Sequence, residues 1–268
     1  MNKTATLLSI YKSDKIENTK KAIESLLTQT YTNLDIYIIC DGILTQELNE
    51  YLDSLKVRKI VRRDENKGLA YSLNELIDVI LRDSEVGYLA RMDADDICAS
   101  KRIEEQVAFL ERNQLVDIVG TDVEEIDEND VVIDYKKMFS HDISIKKNII
   151  KRCPFNHPTV MFRRKVFEDG NRYSSELKNT QDYFFWIELA SKNYVFANIN
   201  KPLLKFRIDN NFFKRRGLAK ANNDFKAKLF AMKSLHAHSL NNYFYAFAIY
   251  FLRIMPSSFS KLAYKYLR

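Results

Sequence analysis

The stretch Val86-Gly-Tyr-Leu-Ala-Arg-Met-Asp-Ala-Asp-Asp96 is an apolar run followed at once by three carboxylates. Such a run is typical of a buried strand that ends at the surface. If the strand continued to Asp95, the alternation of side chains would put Asp93 and Asp95 on the same side, within reach of one ion. Two carboxylates that close repel each other, and a cation between them relieves the repulsion. The stretch therefore indicates either an Mg²⁺ or Mn²⁺ site or a solvated turn with an Asp that caps the next helix.

Around this stretch, strand-like and helical periodicities alternate up to about residue 120. The pattern predicts a strand ending at Ile10 and further strands at Leu34–Cys40, Val57–Val61 and Val86–Met92, with an amphipathic helix after each. Ser100 is expected to cap the helix that follows the fourth strand. Strands separated by helices need right-handed crossovers. The predicted fold class is therefore α/β, with a mostly parallel, Rossmann-like sheet flanked by helices.

Polar residues stand at the carboxyl ends of these strands, where parallel sheets bind ligands. They are Tyr11, Asp41-Gly42, Asn66-Lys67-Gly68 and Asp93-Ala94-Asp95. An aromatic ring, a carboxylate, a cation and a metal-binding pair would suit a nucleoside diphosphate. Neither G-x-G-x-x-G nor G-x-x-x-x-G-K-[ST] occurs in the sequence, which argues against dinucleotide and P-loop sites.

Beyond about residue 120 the regular alternation ends. Val131–Tyr135 and Thr159–Phe162 are expected to be extended segments outside the parallel unit. A helix is predicted to open near Thr180, with Asp182 in or next to its first turn. An Asp at that position is favourable for the helix dipole even without a catalytic role.

The composition is that of a globular protein, with 46% hydrophobic and 29% charged residues in 268. Cys40, Cys98 and Cys153 show no C-x-x-C spacing, so neither a disulfide framework nor a zinc site is predicted, and a cytoplasmic location is expected. No signal peptide is recognised at the N-terminus, and no apolar run approaches the roughly 18 residues of a membrane span.

Positive charge is concentrated in the C-terminal quarter. From residue 201 onward, 14 Lys and Arg stand against Asp209 and Asp224, a net charge of +12 in a chain of net charge +6. The apolar, aromatic segment Tyr243–Leu252 covers only half a membrane span, so it could lie in the interface of an anionic membrane or pack on the core. The basic residues that flank it are Lys226, Lys228, Lys233, Arg253, Lys261, Lys265 and Arg268.

Taken in order, these residues resemble the family-2 nucleotide-sugar glycosyltransferases with a GT-A fold, in particular enzymes that build bacterial capsule, exopolysaccharide and O-antigen. The matching segments are Ser9–Tyr11, Asp41–Gly42, Asn66–Ala70, Arg91–Asp96, Asn156–Phe162, Asp182–Trp186, Arg207 and Arg215–Gly217. The resemblance implies a GT-A domain over residues 1–217, with a nucleotide-binding half to about 120 and an acceptor half from about 121. A basic, aromatic-rich helical extension over residues 218–268 follows it.

The resemblance also implies an activity and residue roles. A hexose would move with inversion from a UDP-sugar to a hydroxyl of a saccharide acceptor, carried by a polyprenyl diphosphate at the inner face of the cytoplasmic membrane. No nucleic acid partner is expected. Asp182 would be the general base, and Asp93 and Asp95 would hold Mn²⁺ or Mg²⁺. The implied nucleotide contacts are Tyr11, Asp41, Lys67, Gly68, Arg91 and Asp93. His157 and Trp186 would line the acceptor side, although both residue types also serve as core residues.

The sequence departs from the family pattern at three places. Cys40-Asp41 replaces the usual Asp pair, Gln181-Asp182 replaces a Glu-Asp pair, and Asp209 stands near Arg207 where many members have a His. A third metal ligand is therefore left open. The residues also leave two other functions open, those of a sugar nucleotidyltransferase and of a non-catalytic membrane- or nucleic-acid-binding module. The first normally needs a Gly-rich loop, which Ser9–Asp14 lacks.

Overall fold

Parallel strands and helices alternate in the N-terminal half, as the periodicity predicts. The computed structural model of the chain describes residues 2–176, 180–208 and 218–254. Its first elements are β1 (Lys3–Ile10), α1 (Ile16–Leu27), β2 (Leu34–Cys40), α2 (Gln46–Asp53), β3 (Lys59–Arg62), α3 (Leu69–Ile80) and β4 (Val86–Met92). The predicted bounds of β2 and β4 are confirmed, whereas β3 starts two residues later than the Val57 predicted, because its pairing with β2 begins where Lys59 lies opposite Tyr37.

The second half mixes short helices with strands that the sequence pattern did not reveal. Its elements are β5 (Ile97–Cys98), α4 (Arg102–Arg112), β6 (Ile118–Ile126), β7 (Val132–Lys136), α5 (Asp142–Asn148), a 3₁₀ turn (His157–Thr159), β8 (Met161–Arg163), α6 (Lys165–Glu168), α7 (Gln181–Ser191), β9 (Phe196–Arg207), α8 (Leu218–Ser234) and α9 (Leu240–Ile254). The two predicted extended segments correspond to β7 and β8. The strands β6 and β9 were not predicted.

The nine strands of the described ranges join one sheet in the order β3-β2-β1-β4-β8-β6-β9-β5, with β7 beside β6. The ladders among β1, β2, β3 and β4 are parallel, as is the long β6–β9 ladder. The short strand β8 runs antiparallel between β4 and β6 and so joins the two halves. The predicted α/β class with helices flanking a mostly parallel sheet is confirmed.

The start of α4 differs from the prediction. Lys101, not Ser100, is the N-cap residue, and its side chain makes no capping hydrogen bond. The carbonyl of Ser100 accepts instead from the Thr30 amide at 2.9 Å. The Ile103 amide in the first turn donates to Oε1 of Gln29 at 3.1 Å. A side chain from another element thus satisfies the helix end, which a local sequence pattern does not indicate.

The helices α8 and α9 pack against each other and against the rest of the chain. The Phe225 ring of α8 lies 5.1 Å from that of Phe247 on α9. The Tyr245 hydroxyl donates to the Lys151 carbonyl at 3.0 Å. The predicted helical extension is therefore present as far as residue 254, and residues 255–268, with Lys261, Lys265 and Arg268, lie outside the described part. Within the described ranges, no helix has both the length and the apolar character needed to cross a bilayer.

Candidate active site

A turn, not a continuing strand, gathers the carboxylates behind β4. The strand ends at Met92, so the strand alternation expected for Asp93 and Asp95 does not apply. Even so, one carboxylate oxygen from each of Asp93, Asp95 and Asp96 lies within 4.8 Å of the other two. The predicted proximity of Asp93 and Asp95 is confirmed, and Asp96 joins them.

Two arginines donate hydrogen bonds to the turn Asp93–Asp96, which we call the acidic turn. Arg91, 1% exposed, donates through Nη2 to Oδ1 of Asp93 and through Nη1 to the Leu7 carbonyl at 3.3 Å. Arg207 on β9 donates its amide to Oδ1 of Asp96 at 2.8 Å and its Nε to the Asp95 carbonyl at 2.9 Å. Arg91 is thus placed to position Asp93, and its contact with a nucleotide stays a prediction.

The electrostatics of the turn favour a cation. Burial raises the pKa of Asp96 well above its usual range, and the charges of Asp95 and Asp93 raise it further. Its Oδ2 is buried and has no hydrogen-bond partner among the residues that the structure describes. Clustered carboxylate oxygens, one of them without a partner, are ligands of the kind that Mg²⁺ and Mn²⁺ take. The residues present therefore fit the predicted divalent ion.

Asp14 is a further carboxylate that faces this turn, and sequence reasoning missed it. Its Oδ2 accepts from the Tyr11 amide at 2.9 Å, which closes the loop after β1. Burial raises the pKa of Asp14 to about 7 against the effect of that hydrogen bond, and the charges of Asp95 and Asp93 add to the rise. Tyr11 beside it is 40% exposed, so part of this residue is accessible to a ligand. The signal in the sequence that could have identified Asp14 is its position three residues after Tyr11, the aromatic residue at the end of β1.

The carboxylate of Asp41 accepts three hydrogen bonds at the N-terminus of α3. Its carboxylate accepts from the Lys67 and Gly68 amides at 2.8 and 3.0 Å and from Nη2 of Arg63 at 2.5 Å. Gly42 beside it has φ +90, and a Cβ there would lie 2.9 Å from the Asn66 nitrogen. Asp41 therefore shapes the loop that presents Lys67, whatever it contributes to a ligand.

Two cations lie on this loop. Nζ of the exposed Lys67 and the guanidinium of Arg63 each lie 4.9 Å from the centroid of the Tyr71 ring. Gly68, with φ +89, is the N-cap residue of α3. Lys67 and Gly68 were predicted, but Arg63 was not, since it stands within the charged run Arg62–Glu65 that is typical of a solvated loop.

Asp182 lies in the first turn of α7, as predicted, and is half-buried. Burial raises the pKa of this carboxyl, and the charge of Asp93 contributes to the rise, whereas Lys220 of α8 and the α7 amides oppose it. Asp93 makes the smallest of the contributions to this shift, which indicates that the acidic turn lies on the same side of the protein as the start of α7. A carboxyl whose pKa is raised towards neutrality is suited to accept a proton from a substrate.

His157 lies on this side of the protein, and Trp186 lies behind it. Nε2 of His157 is 3.1 Å from the Tyr173 hydroxyl. Burial and the charge of Arg91 hold the pKa of His157 well below its usual range, so the ring is neutral at physiological pH. Trp186 is 0% exposed and packs edge-on against Phe155 and stacked on Phe162. Its ring has no face open to a sugar, so the structure favours the core role that the sequence left open.

The predicted strand-end residues follow parallel strands of one sheet, and electrostatic interactions link Asp93 with Asp182 and Arg91 with His157. Tyr173, which is 2% exposed, links the two sides, since Asn74 of α3 bonds both its amide and its carbonyl, at 2.9 and 2.8 Å. Arg207 was matched by resemblance, and its role of holding the acidic turn is new. Asp209 and Arg215–Gly217 lie outside the described residues.

Comparisons with known proteins agree with this geometry. The model of the family described as "Glycosyl transferase family 2" matches residues 8–170. An uncharacterized glycosyltransferase of Haemophilus influenzae is 30% identical, with 98% of both chains covered. The UDP-Gal:alpha-D-GlcNAc-diphosphoundecaprenol beta-1,3-galactosyltransferase of Escherichia coli is 29% identical over 98% of this chain and 95% of its own.

The fold is also found among solved structures. The S. aureus TarS 1-349 structure in complex with UDP-GlcNAc superposes with a TM-score of 0.63 at 15% identity, covering 90% of this chain and 74% of that one. At that identity the superposition supports the GT-A fold alone.

Proposed function

The chain belongs to glycosyl transferase family 2, and from that premise we propose that it transfers a hexose from a UDP-sugar to a hydroxyl of a lipid-linked saccharide, with inversion at the anomeric carbon. The observation that carries the proposal is the meeting of two groups. Burial is the main cause of the raised pKa of Asp182, and the charge of Asp93 adds to it, which supports a common site for the acidic turn behind β4 and Asp182 on α7. A metal-binding group and a base that share one space are what such a transfer needs.

On the donor side, the acidic turn and the α3 loop would receive the diphosphate. Asp93 and Asp95 would hold Mn²⁺ or Mg²⁺, with Asp96 beside them as a further oxygen donor. When bound, the ion offsets the negative charge that develops on the departing nucleoside diphosphate. Lys67 adds a mobile cation near the N-terminus of α3, where anions are favoured. The accessible part of Tyr11 offers a surface on which the base of the nucleotide can stack.

On the acceptor side, Asp182 would take the proton of the attacking hydroxyl. The hydroxyl oxygen forms the bond to the anomeric carbon as the bond to the UDP oxygen breaks. Attack from the opposite face inverts the stereocentre, so an α-linked donor gives a β-linked product. The neutral His157, fixed by the Tyr173 hydroxyl, can exchange hydrogen bonds with an acceptor sugar without adding charge. Of the donors, UDP-galactose and UDP-glucose are favoured over their N-acetylated forms on resemblance alone.

We place this activity in the synthesis of a bacterial surface polysaccharide, with the enzyme at the inner face of the cytoplasmic membrane. The support is the relative whose name gives a diphosphoundecaprenol-linked acceptor and which matches this chain over nearly its whole length. Family membership leaves no support for the sugar nucleotidyltransferase or for the non-catalytic module.

The test is titration of the purified protein with UDP, with Mn²⁺ and with a chelator in its place. We expect tight binding with the ion and weak binding without it. A screen of donor hydrolysis over common sugar nucleotides would then identify the hexose. UDP binding of equal strength in chelator would contradict the metal-dependent donor site. The absence of any nucleotide binding would contradict the proposed function.

A further inference from the structure

The helix α9 is amphipathic, and only part of its apolar surface packs against the rest of the described protein. Ala246 is buried at 1% exposure, and the Tyr250 hydroxyl donates to Asn222 of α8 at 2.9 Å, so this side of the helix is covered. On the opposite side, apolar side chains point to solvent. They are Leu240, Phe244, Phe247 and Phe251, with 91%, 74%, 48% and 58% exposure, and together they form the α9 stripe.

The spacing of the α9 stripe makes it one continuous surface. Its members stand four, three and four positions apart, which places them along a single narrow face of the helix. The face is about 16 Å long at the rise of an α-helix. Single exposed apolar residues are normal, but a row of them with three phenylalanines marks an interaction surface.

The charge around the α9 stripe indicates its partner. No Asp or Glu follows Asp224 in the sequence, whereas seven Lys and Arg do. Of these, Lys226 and Lys233 are exposed on α8, seven positions apart and therefore on one side of that helix. Aromatic and aliphatic side chains on one face, in a stretch of sequence with cations and no acidic residue after Asp224, suit an anionic lipid surface. Such a stretch fits a negatively charged surface better than a protein surface of mixed charge.

Lys228 does not take part in this surface, contrary to the sequence-based expectation. It is 5% exposed, donates to the Ile150 carbonyl at 2.5 Å, and lies between the rings of Tyr183 and Tyr245, at 5.8 and 5.3 Å. Burial lowers its pKa to about 8. Its role is to fasten α8 and α9 to α7, the helix that begins with Asp182. The α9 stripe is thereby tied to the acceptor side of the site.

We infer that the α9 stripe inserts into the interface of an anionic bilayer, with Lys226 and Lys233 above the headgroups. The inference rests on the proposed function only for its purpose, which is to bring the enzyme to an acceptor embedded in the same surface. The sequence left two alternatives for the aromatic segment, interface or core. The structure divides the segment between them, with Tyr245 and Tyr250 packed inside, Phe244 and Phe251 outside, and the partly exposed Phe247 against Phe225 of α8.

The first experiment removes the stripe without disturbing the packed face. We compare the double variant Phe244→Ser/Phe251→Ser with Leu115→Ser/Ile143→Ser, a control that removes apolar side chains exposed at 83% each and distant in sequence. Binding to phosphatidylglycerol–phosphatidylcholine vesicles is measured by co-sedimentation. We expect the stripe variant to lose about 10- to 100-fold in affinity and the control to match the wild type. Lys226→Gln/Lys233→Gln should lose about 10-fold, and its remaining binding should depend less on salt.

A second measurement reports insertion directly. Trp186 is the single tryptophan and is buried, so a tryptophan introduced by Phe244→Trp gives a separate fluorescence signal. Brominated lipid should quench Phe244→Trp strongly and a Leu115→Trp control weakly. Equal quenching of the two, or unchanged vesicle binding in the serine variant, would overturn the inference. So would a wild type that is dimeric without lipid and a serine variant that is monomeric, because the stripe would then be a contact between copies.

Transfer to a water-soluble acceptor separates this inference from the proposed function. The serine stripe variant should keep wild-type rates with the soluble acceptor and lose turnover of a lipid-linked one. Failure of the wild type on both acceptors would count against the proposed function, while vesicle binding would still test the α9 stripe.

Discussion

The donor and acceptor sides of the candidate site are built by different means. On the donor side, hydrogen bonds fix the charged groups, since Asp41 receives two backbone amides and the acidic turn is held by Arg91 and Arg207. On the acceptor side, burial raises the pKa of Asp182 and lowers that of His157, as it also raises the pKa of Asp14 and Asp96 at the acidic turn. The comparison teaches that donor-side changes should act on binding, stability and rate together, whereas acceptor-side changes should act on rate and its pH dependence alone.

The strongest way to break this comparison is Asp95→Asn. Loss of one carboxylate from the acidic turn should weaken ion binding, and transfer should fall by about 10⁴-fold, the rate equivalent of the several kcal/mol that a metal ion supplies. Isothermal titration with Mn²⁺ and UDP would show both affinities reduced. Wild-type protein in chelator should behave in the same way. Full activity in excess chelator would mean that the turn binds no ion needed for transfer.

Asp182→Asn tests the acceptor side. Transfer should fall by about 10² to 10⁴-fold, as expected for the loss of a general base, while UDP and metal binding stay near wild type. In the wild type, activity should decline as the pH falls through the raised pKa of Asp182, because the base must be ionised to accept a proton. The variant should lack this decline. Loss of nucleotide binding instead of rate would place Asp182 on the donor side.

The variant Arg207→Met tests how much Arg207 contributes to the stability of the donor side. The guanidinium is 2% exposed and pairs with Asp130 at 2.5 Å besides bonding the Asp95 carbonyl. Its removal takes the guanidinium donor from the Asp95 and Asp127 carbonyls and leaves Asp130 with Lys21 alone, so the free energy of unfolding should fall by about 3 kcal/mol. Lys201→Met, also on β9, breaks the exposed pair with Glu105 and should cost below about 1 kcal/mol. Chemical denaturation of both variants gives the comparison, and equal losses would show that Arg207 is not a special support.

Asp14→Asn should give the smallest effect and sharpens the electrostatic account. Because the folded-state pKa of Asp14 is raised to about 7, its contribution to stability is fully present below its usual pKa and is lost as the pH rises through about 7. In chelator, the melting temperature of the wild type should therefore drop more between pH 5 and pH 8 than that of the variant. Added Mn²⁺ should reduce the difference. Parallel melting curves at both pH values would show that the acidic turn does not act on Asp14.

The sequence predicts most of the donor side and little of the strand arrangement beyond it. The strands β2 and β4 have long apolar runs, so local periodicity was sufficient to locate them. The strand β6 contains Asp122, which is 0% exposed and accepts from the Tyr135 hydroxyl and the Met138 amide. Because a buried position of this strand is polar, the sequence lacks the apolar periodicity that would have located β6. In β9, Pro202 interrupts the strand pattern at a register shift in its pairing with β6.

The residues of the candidate site also differ in how far the sequence predicts them. Asp41, Asp93 and Asp95 could be found because parallel strands place their carboxyl ends at one edge. Asp182 came from resemblance, since an Asp in a first helical turn is common for other reasons. The supporting roles of Arg63 and Arg207 depend on partners 22 and 111 positions away. Contacts of that separation leave no periodic trace in one sequence.

The hydrogen bond between the Arg207 amide and Asp96 spans 111 positions, and this separation has a consequence for biosynthesis. The ribosome releases the N-terminal half first. The acidic turn therefore emerges long before the residue that holds it, and β4 waits at the growing edge of the sheet until β8 fills the place beside it. A nascent chain that stops before residue 207 carries the D-x-D motif without its support. We therefore expect the proposed ion-dependent nucleotide binding only in chains that extend past residue 207, and it can serve as an assay for nascent chains that have reached this length.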